Sequence, residues 1–104
     1  MIADTPLAPY YAVIFTSLRN SIEEGYADMA QLMIELAKEQ SGFLGIESAR
    51  DSLGITVSYW KDLESIQIWK QNSKHLVAQK LGKEKWYSDF KVRIALVEKE
   101  YAKE

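Results

Sequence analysis

The sequence predicts a single α+β domain whose elements follow one another in the order β-α-β-β-α-β. Runs of β-branched and aromatic residues alternate with segments in which apolar residues recur at helical spacing. A chain of 104 residues suits one domain and leaves little room for two. Both prolines fall within residues 1–9, so we expect a short lead-in followed by one domain over residues 10–104.

The first strand and the first helix are predicted from the stretch that starts with "YYAVIFTSL". Residues 10–18 are apolar on both faces, which is typical of a strand that is covered on both sides. Ser21 and Glu24 then have the spacing of a capping box at a helix start. Gly42 is well placed as a left-handed helix stop. Apolar residues share one face of this helix: Ile22, Tyr26, Met29, Ala30, Met33, Leu36 and Ala37.

Two further strands form a predicted hairpin. Residues 43–50, "FLGIESAR", and residues 54–60, "GITVSYW", are short segments rich in strand-forming residues. The turn "DSLG" joins them, and Gly54 is expected to adopt a positive φ there.

A second helix is predicted after this hairpin, with Asp62 as its N-cap. The polar stretch "QNSKH" is expected to interrupt it, and a further short helix is expected to end at Gly82. The final strand is predicted over residues 90–97. One side of the second helix carries Leu63, Ile66 and Trp69.

This order of elements matches the ferredoxin-like arrangement, in which two helices cover one side of a four-stranded sheet. The other side of such a sheet normally meets water, so its strands alternate. The last strand instead has apolar residues on both sides, namely Val92, Ile94 and Leu96 on one and Ala95 and Val97 on the other. We therefore expect a homodimer in which two sheets face each other and form an α/β barrel.

The composition indicates which classes of partner and metal site are not expected and where the protein is located. The formal net charge is −2 and no basic stripe is present, so nucleic acid is not expected as a partner. The absence of cysteine excludes disulfides, thiolate metal sites and iron–sulfur clusters. The first residues lack the features of a signal peptide, and no apolar run approaches membrane-spanning length. A cytoplasmic location without a membrane partner is expected.

The segments "ELAKEQSGFLGIESAR" and "GITVSYWKDLESIQIWKQNSKHLVAQKLGKEKWY" resemble the antibiotic biosynthesis monooxygenase family of dimeric α/β-barrel proteins. The shared pattern is a helix that ends in Gln-x-Gly-Phe, a strand that ends in Tyr-Trp, then Trp-Lys and a His-x-x-Ala-Gln segment. The resemblance covers roughly residues 10–101. This family contains cofactor-free oxygenases, haem-degrading enzymes and members without a known activity.

The resemblance implies a pocket between the sheet and the helices for a small apolar or aromatic ligand. In cofactor-free relatives a bound phenol or hydroquinone is deprotonated, and the resulting anion reacts with oxygen directly, without metal or cofactor. His75, Trp69 and Arg93 are the catalytic candidates, with Arg93 as a charge stabiliser. The residues expected to line the pocket are Phe15, Tyr59, Trp60, Gln79, Trp86 and Tyr87.

Two other functions are consistent with these residues. Aromatic residues between a sheet and two helices are also the normal core of a small domain. The chain could then be a non-catalytic, ligand-binding or structural barrel protein, with His75 as a polar residue at the helix break. Haem binding is the third alternative. Haem-degrading relatives use a first-strand asparagine, which is absent here, and a histidine at the position of Gln79, whose amide is a poor iron ligand.

Overall fold

A computed structural model describes residues 1–80 and 86–103, with side chains described for residues 1–74 and 86–103. Its four strands form one antiparallel sheet in the order β2-β3-β1-β4, which is the ferredoxin-like arrangement predicted from the sequence. In chain order the elements are β1 (Tyr10–Arg19), α1 (Tyr26–Glu39), β2 (Phe43–Arg50), β3 (Gly54–Trp60), α2 (Leu63–Lys80) and β4 (Tyr87–Val97).

The strand register divides the sheet into a helix side, which α1 and α2 cover, and a far side. Tyr11 pairs with Trp60 on β3 and with Leu96 on β4, and residues two apart repeat the pattern because strand side chains alternate. Four rows cross the helix side. They are Phe43, Trp60, Tyr11 and Leu96; Ile46, Ser58, Val13 and Ile94; Ser48, Thr56, Phe15 and Val92; and Arg50, Gly54, Ser17 and Phe90.

The core of the helix side is built around Trp60, whose side chain is 0% exposed. The Trp69 ring of α2 stacks on it at 5.7 Å, and the Phe43 ring meets it edge-on at 5.6 Å. Ala37 of α1 and Ile66 of α2 are buried in the same cluster. One indole therefore joins both helices to the sheet, and we call these five residues the Trp60 cluster.

The helices do not cover the whole helix side. Val92, Ile94 and Leu96 of β4 point toward this side, yet each is about half exposed, Ile94 at 52%. The edge of the helix side along β4 is thus open in the single chain.

The predicted capping box at Ser21 is wrong, because α1 begins only at Tyr26. The side chain of Asn20 accepts a hydrogen bond from the Ile22 N–H at 2.9 Å and closes a turn there instead. Gly25 forms the N-cap in the left-handed region, with φ of 80°. A local side-chain hydrogen bond has therefore delayed the helix by several residues.

Gly42 and Gly54 were predicted to adopt positive φ, and neither does. The chain leaves α1 through Gln40 in an extended conformation. A side chain at Gly42 would overlap the side chain of Ser65, and one at Gly54 would overlap that of Arg50. The close approach of Ser65 explains the glycine at position 42, whereas at Gly54 the overlap is only with the end of the flexible Arg50 side chain, which can move aside.

The second helix is continuous from Leu63 to Lys80, so the predicted break at "QNSKH" is wrong. Gln, Lys and Ser are tolerated within helices, and the Ser73 hydroxyl donates to the Lys70 carbonyl within the same helix. The predicted N-cap is confirmed, since the Ser65 N–H donates to Asp62 Oδ1 at 2.7 Å. The helix end predicted at Gly82 lies outside the described residues.

Residues 1–9 fold back over the far side of the sheet. Ala3 lies against Gly45, and its N–H donates to Glu47 Oε2 at 2.8 Å. The Thr5 hydroxyl donates to the Tyr10 hydroxyl at 2.9 Å. This segment thus covers one corner of the far side.

Candidate functional site

A second group of aromatic residues lies on the helix side, where β1 ends and β4 begins. We call it the Tyr87 cluster, and it consists of Phe15, Tyr26, Trp86, Tyr87 and Phe90. The Tyr87 ring lies 5.3 Å from Phe15, 6.1 Å from Tyr26 and 6.3 Å from Phe90, in edge-on contacts. The buried Trp86 indole donates to the Glu24 carbonyl at 2.9 Å and ties the cluster to the segment before α1.

Two arginines border this cluster. The Arg19 guanidinium lies 3.5 Å from the centre of the Tyr26 ring and donates to the Trp86 carbonyl at 3.3 Å. Arg50 extends from the end of β2 across Gly54 and donates to the buried Ser17 hydroxyl. The helix side therefore combines an aromatic wall with fixed positive charge.

The phenol of Tyr87 is harder to ionise than a free tyrosine. Burial raises the pKa of Tyr87 to about 12, and the neighbouring Tyr26 phenol adds to this effect, while Arg50 and Arg19 act in the opposite direction. The Tyr87 hydroxyl is hydrogen-bonded to the Tyr26 phenol, so a ligand oxygen would compete with Tyr26 for its proton.

The far side carries a separate cluster of two phenol–carboxylate pairs. The Tyr59 hydroxyl donates to Glu47 at 2.7 Å, and the Tyr10 hydroxyl donates to Glu100 at 2.5 Å. Burial and the Glu47 carboxylate raise the pKa of Tyr59 to about 12. The Ala3 N–H and the Tyr59 hydroxyl lower the pKa of Glu47. These bonds fix the N-terminal segment and the end of the chain to the sheet.

The structure separates the candidate residues predicted from the sequence. Trp69 lies in the Trp60 cluster, whereas Arg93 pairs with Ile14 and therefore points to the far side, away from Phe15. The side chains of His75 and Gln79 lie outside those that the structure describes. The candidates on the helix side are Phe15, Trp60, Trp69, Trp86 and Tyr87, and those on the far side are Tyr59 and Arg93.

Three residues of the helix side were missed by sequence reasoning. Tyr26 was assigned to the helix core, and Arg50 and Ser17 were read only as strand residues. Strict alternation along β4 could have shown that Arg93 and Val92 point to opposite sides of the sheet. No local signal joins Arg50 to Ser17, which lie 33 positions apart.

Arg93 instead lines an open groove of about 200 Å³, mostly on the far side near the hairpin turn. Its lining includes Thr16, Leu18, Leu53, Asp89, Lys91 and Arg93. No group of His, Asp or Glu within the described part of the chain could hold a metal ion. In that same part, no helix has the length and apolar character needed to cross a membrane.

Comparison with known proteins relates the chain to a bacterial relative. It is 43% identical over 101 residues to the uncharacterised protein YqjZ of Bacillus subtilis. The alignment covers 95% of this chain and 89% of YqjZ. No family model matches the sequence.

Several solved structures have the same fold at low sequence identity. The superposition on protein SO0527 of Shewanella oneidensis covers 90% of this chain and 97% of SO0527, with a TM-score of 0.70 and 10% identity. The superposition on a candidate antibiotic biosynthesis monooxygenase of Bacillus cereus covers 92% of this chain and 100% of that protein, with a TM-score of 0.60 and 12% identity. These similarities show the fold of the antibiotic biosynthesis monooxygenases.

Proposed function

Because this chain belongs to the family of YqjZ and has the fold of the antibiotic biosynthesis monooxygenases, we propose that it is a cofactor-independent monooxygenase. Its substrate would be a small aromatic or polyketide-like molecule bound between sheet and helices. The observation that carries the proposal is the Tyr87 cluster, a group of aromatic rings on the helix side with a neutral phenol and two arginines at its border. The partly exposed edge along β4 provides access.

The proposed chemistry requires a pocket, a base and a hydrogen-bond donor from the protein. A bound phenol or hydroquinone loses a proton, and its electron-rich anion reduces oxygen directly. We assign the base to His75, because an imidazole has a pKa near neutrality, and a wall of the pocket to Trp69. The Tyr87 hydroxyl would donate to the developing oxyanion. Arg93, the third catalytic candidate, faces the far side and would serve only a ligand bound there.

Oxygen uptake tests this proposal. We expect the purified protein to consume oxygen above background with at least one member of a panel of hydroquinones and anthrones. Tyr87→Phe removes only a hydroxyl and is expected to lower kcat/KM by about tenfold to a hundredfold, the range for loss of a donor to an oxyanion. Tyr101→Phe is the matched control, because that phenol is fully exposed. Background rates with the whole panel would favour the non-catalytic alternative.

The competing function is a non-catalytic protein that binds a small ligand or acts as a structural barrel. The Trp60 cluster favours it, because Trp60 is completely buried and packs as a core residue does. Haem binding is the remaining alternative. Titration with haemin would support it only if a saturable Soret shift appears and is lost in His75→Ala.

We also propose a homodimer in which the far sides of two sheets face each other. Apolar side chains occupy the middle of the far side, namely Ala12, Ile14, Ile55, Val57 and Ala95. In a single chain Ile55 is 42% exposed, so burial against a second copy would stabilise the assembly. A cytoplasmic location stays a prediction.

A carboxylate on the far side should prevent this dimer. Ile55→Asp is expected to weaken dimerisation by tenfold or more, because an unpaired carboxylate buried in an interface costs several kcal/mol. Light scattering across a concentration series measures the effect. Ile94→Asp is the control, since Ile94 is similarly exposed but lies on the helix side. A wild-type monomer at micromolar concentration would contradict the proposal.

A further inference from the structure

The last row of the helix side places Arg50, Gly54, Ser17 and Phe90 side by side across all four strands. We propose that Arg50, held on Gly54 and Ser17 beside the Tyr87 cluster, binds the carboxylate of a small planar aromatic ligand. This inference goes beyond the proposed oxygenase activity, since it concerns which molecules bind and does not require that any of them react.

The position of the Arg50 side chain is set by its neighbours. It lies across Gly54, the strand partner whose missing side chain leaves the necessary space, because a Cβ there would overlap the guanidinium. Its Nη2 donates to the Ser17 hydroxyl, and its Nη1 lies 3.5 Å from the Ser17 carbonyl. Ser17 is 2% exposed and belongs to the central strand. The guanidinium is thus anchored on one edge by a rigid part of the sheet.

The charge of Arg50 is not neutralised by a carboxylate of the described residues. The ion pair found in that part of the chain joins Arg19 to Glu23. Glu47, on the same strand as Arg50, points to the far side, where it accepts from Tyr59 and Ala3. A guanidinium has five N–H donors in a planar fork, and Ser17 occupies only one edge of it. The remaining donors of Arg50 suit a carboxylate, which accepts two parallel hydrogen bonds.

The surroundings of Arg50 favour an aromatic ligand over a small inorganic anion. Phe90 ends the same row and is 41% exposed, and Phe15 lies in the next row on the strand of Ser17. Their rings are 5.7 Å apart, and the Tyr87 ring closes the group at 5.3 Å from Phe15. An exposed aromatic face next to a fixed cation complements a flat ring with a charged group at one end.

Binding of a matched pair of probes tests the proposal. Naphthoate and naphthamide share one ring system and differ in the charge of the polar group. By isothermal titration calorimetry we expect wild-type protein to bind naphthoate about tenfold more tightly or better. Arg50→Gln should abolish this preference, and Gly54→Ala should reduce it by displacing the guanidinium from Ser17. Lys91→Gln removes the same charge from the far side of the sheet and should leave the preference intact.

Circular dichroism melting curves establish that each variant is folded. Equal affinity of the wild type for both probes, or no binding of either, would overturn the proposal whatever the variants do. So would a preference that survives Arg50→Gln, or one that is lost in Arg93→Gln instead, which would place the anion site on the far side. Oxygen uptake is absent from these measurements, so a failure here leaves the monooxygenase proposal to its own test.

Discussion

Replacing Trp60 with alanine is expected to lower the free energy of unfolding by about 3–5 kcal/mol, which is the largest effect of any single substitution that we predict. The indole is completely buried, and it contacts β2 through Phe43 and α2 through Trp69. Its N–H donates to the Ser58 hydroxyl at 2.9 Å. Truncation would therefore leave a cavity at the junction of the sheet and both helices, and would remove the partner of a buried hydroxyl.

Chemical denaturation measures this loss. Trp69→Ala is the matched comparison, because the same residue type is removed from the same stack but the Trp69 side chain is only half buried. We expect Trp69→Ala to cost clearly less than Trp60→Ala. Equal costs for the two variants would mean that Trp60 does not have the central packing role assigned to it.

Raising the pH from about 10 to about 12 is expected to destabilise the folded protein strongly. The pKa values of Tyr59 and Tyr87 are both raised from 10.0 to about 12. Burial and the Glu47 carboxylate raise the pKa of Tyr59, and burial and the Tyr26 phenol raise that of Tyr87. In this interval the folded chain retains at least these two phenolic protons, which the unfolded chain has released; the hydrogen bond to Glu100 raises the pKa of Tyr10 as well. Stability falls with pH wherever the folded state binds more protons, so the contribution is fully present below pH 10 and is lost as the pH approaches 12.

Phenolate absorbance provides a direct measurement. Three of the six tyrosines, namely Tyr10, Tyr59 and Tyr87, should titrate later than a free phenol, and Tyr59→Phe and Tyr87→Phe should each remove one late step. A single titration step near pH 10 that involves all tyrosines in the folded protein would contradict the environments described for both residues.

Most of the fold was predictable because its signals are local. The strand of residues 10–18 lies within the observed β1, and Asp62 caps α2 as its side chain and position predict. The errors arose where several local interactions compete. At Ser21 a capping-box pattern was outweighed by the side chain of Asn20, which closes a turn first. At "QNSKH" polar composition indicated a break, although those residues are compatible with a continuing helix.

The side of the sheet on which each candidate residue lies depends on the strand register, which the sequence did not reveal. The sequence grouped Phe15, Tyr87 and Trp69 as pocket candidates; the structure places all three on the helix side, and their role in a pocket stays a prediction. It did not indicate that Arg93 points to the opposite side, because its orientation depends on the register of β4 against β1. One residue of slippage would exchange the two sides of the strand.

The sequence by itself determined the order of the elements, the ferredoxin-like topology and the resemblance that relates this chain to the antibiotic biosynthesis monooxygenases. Periodicity and turn residues encode the elements and their order over a few neighbouring positions, and the resemblance rests on short shared motifs. Only the tertiary structure decided that Arg50 crosses Gly54 to reach Ser17, and that burial raises the pKa of Tyr87. Arg50 and Gly54 are neighbours in one hairpin, but Ser17 lies 33 positions before Arg50, so this geometry exists only once β1 has paired with the hairpin.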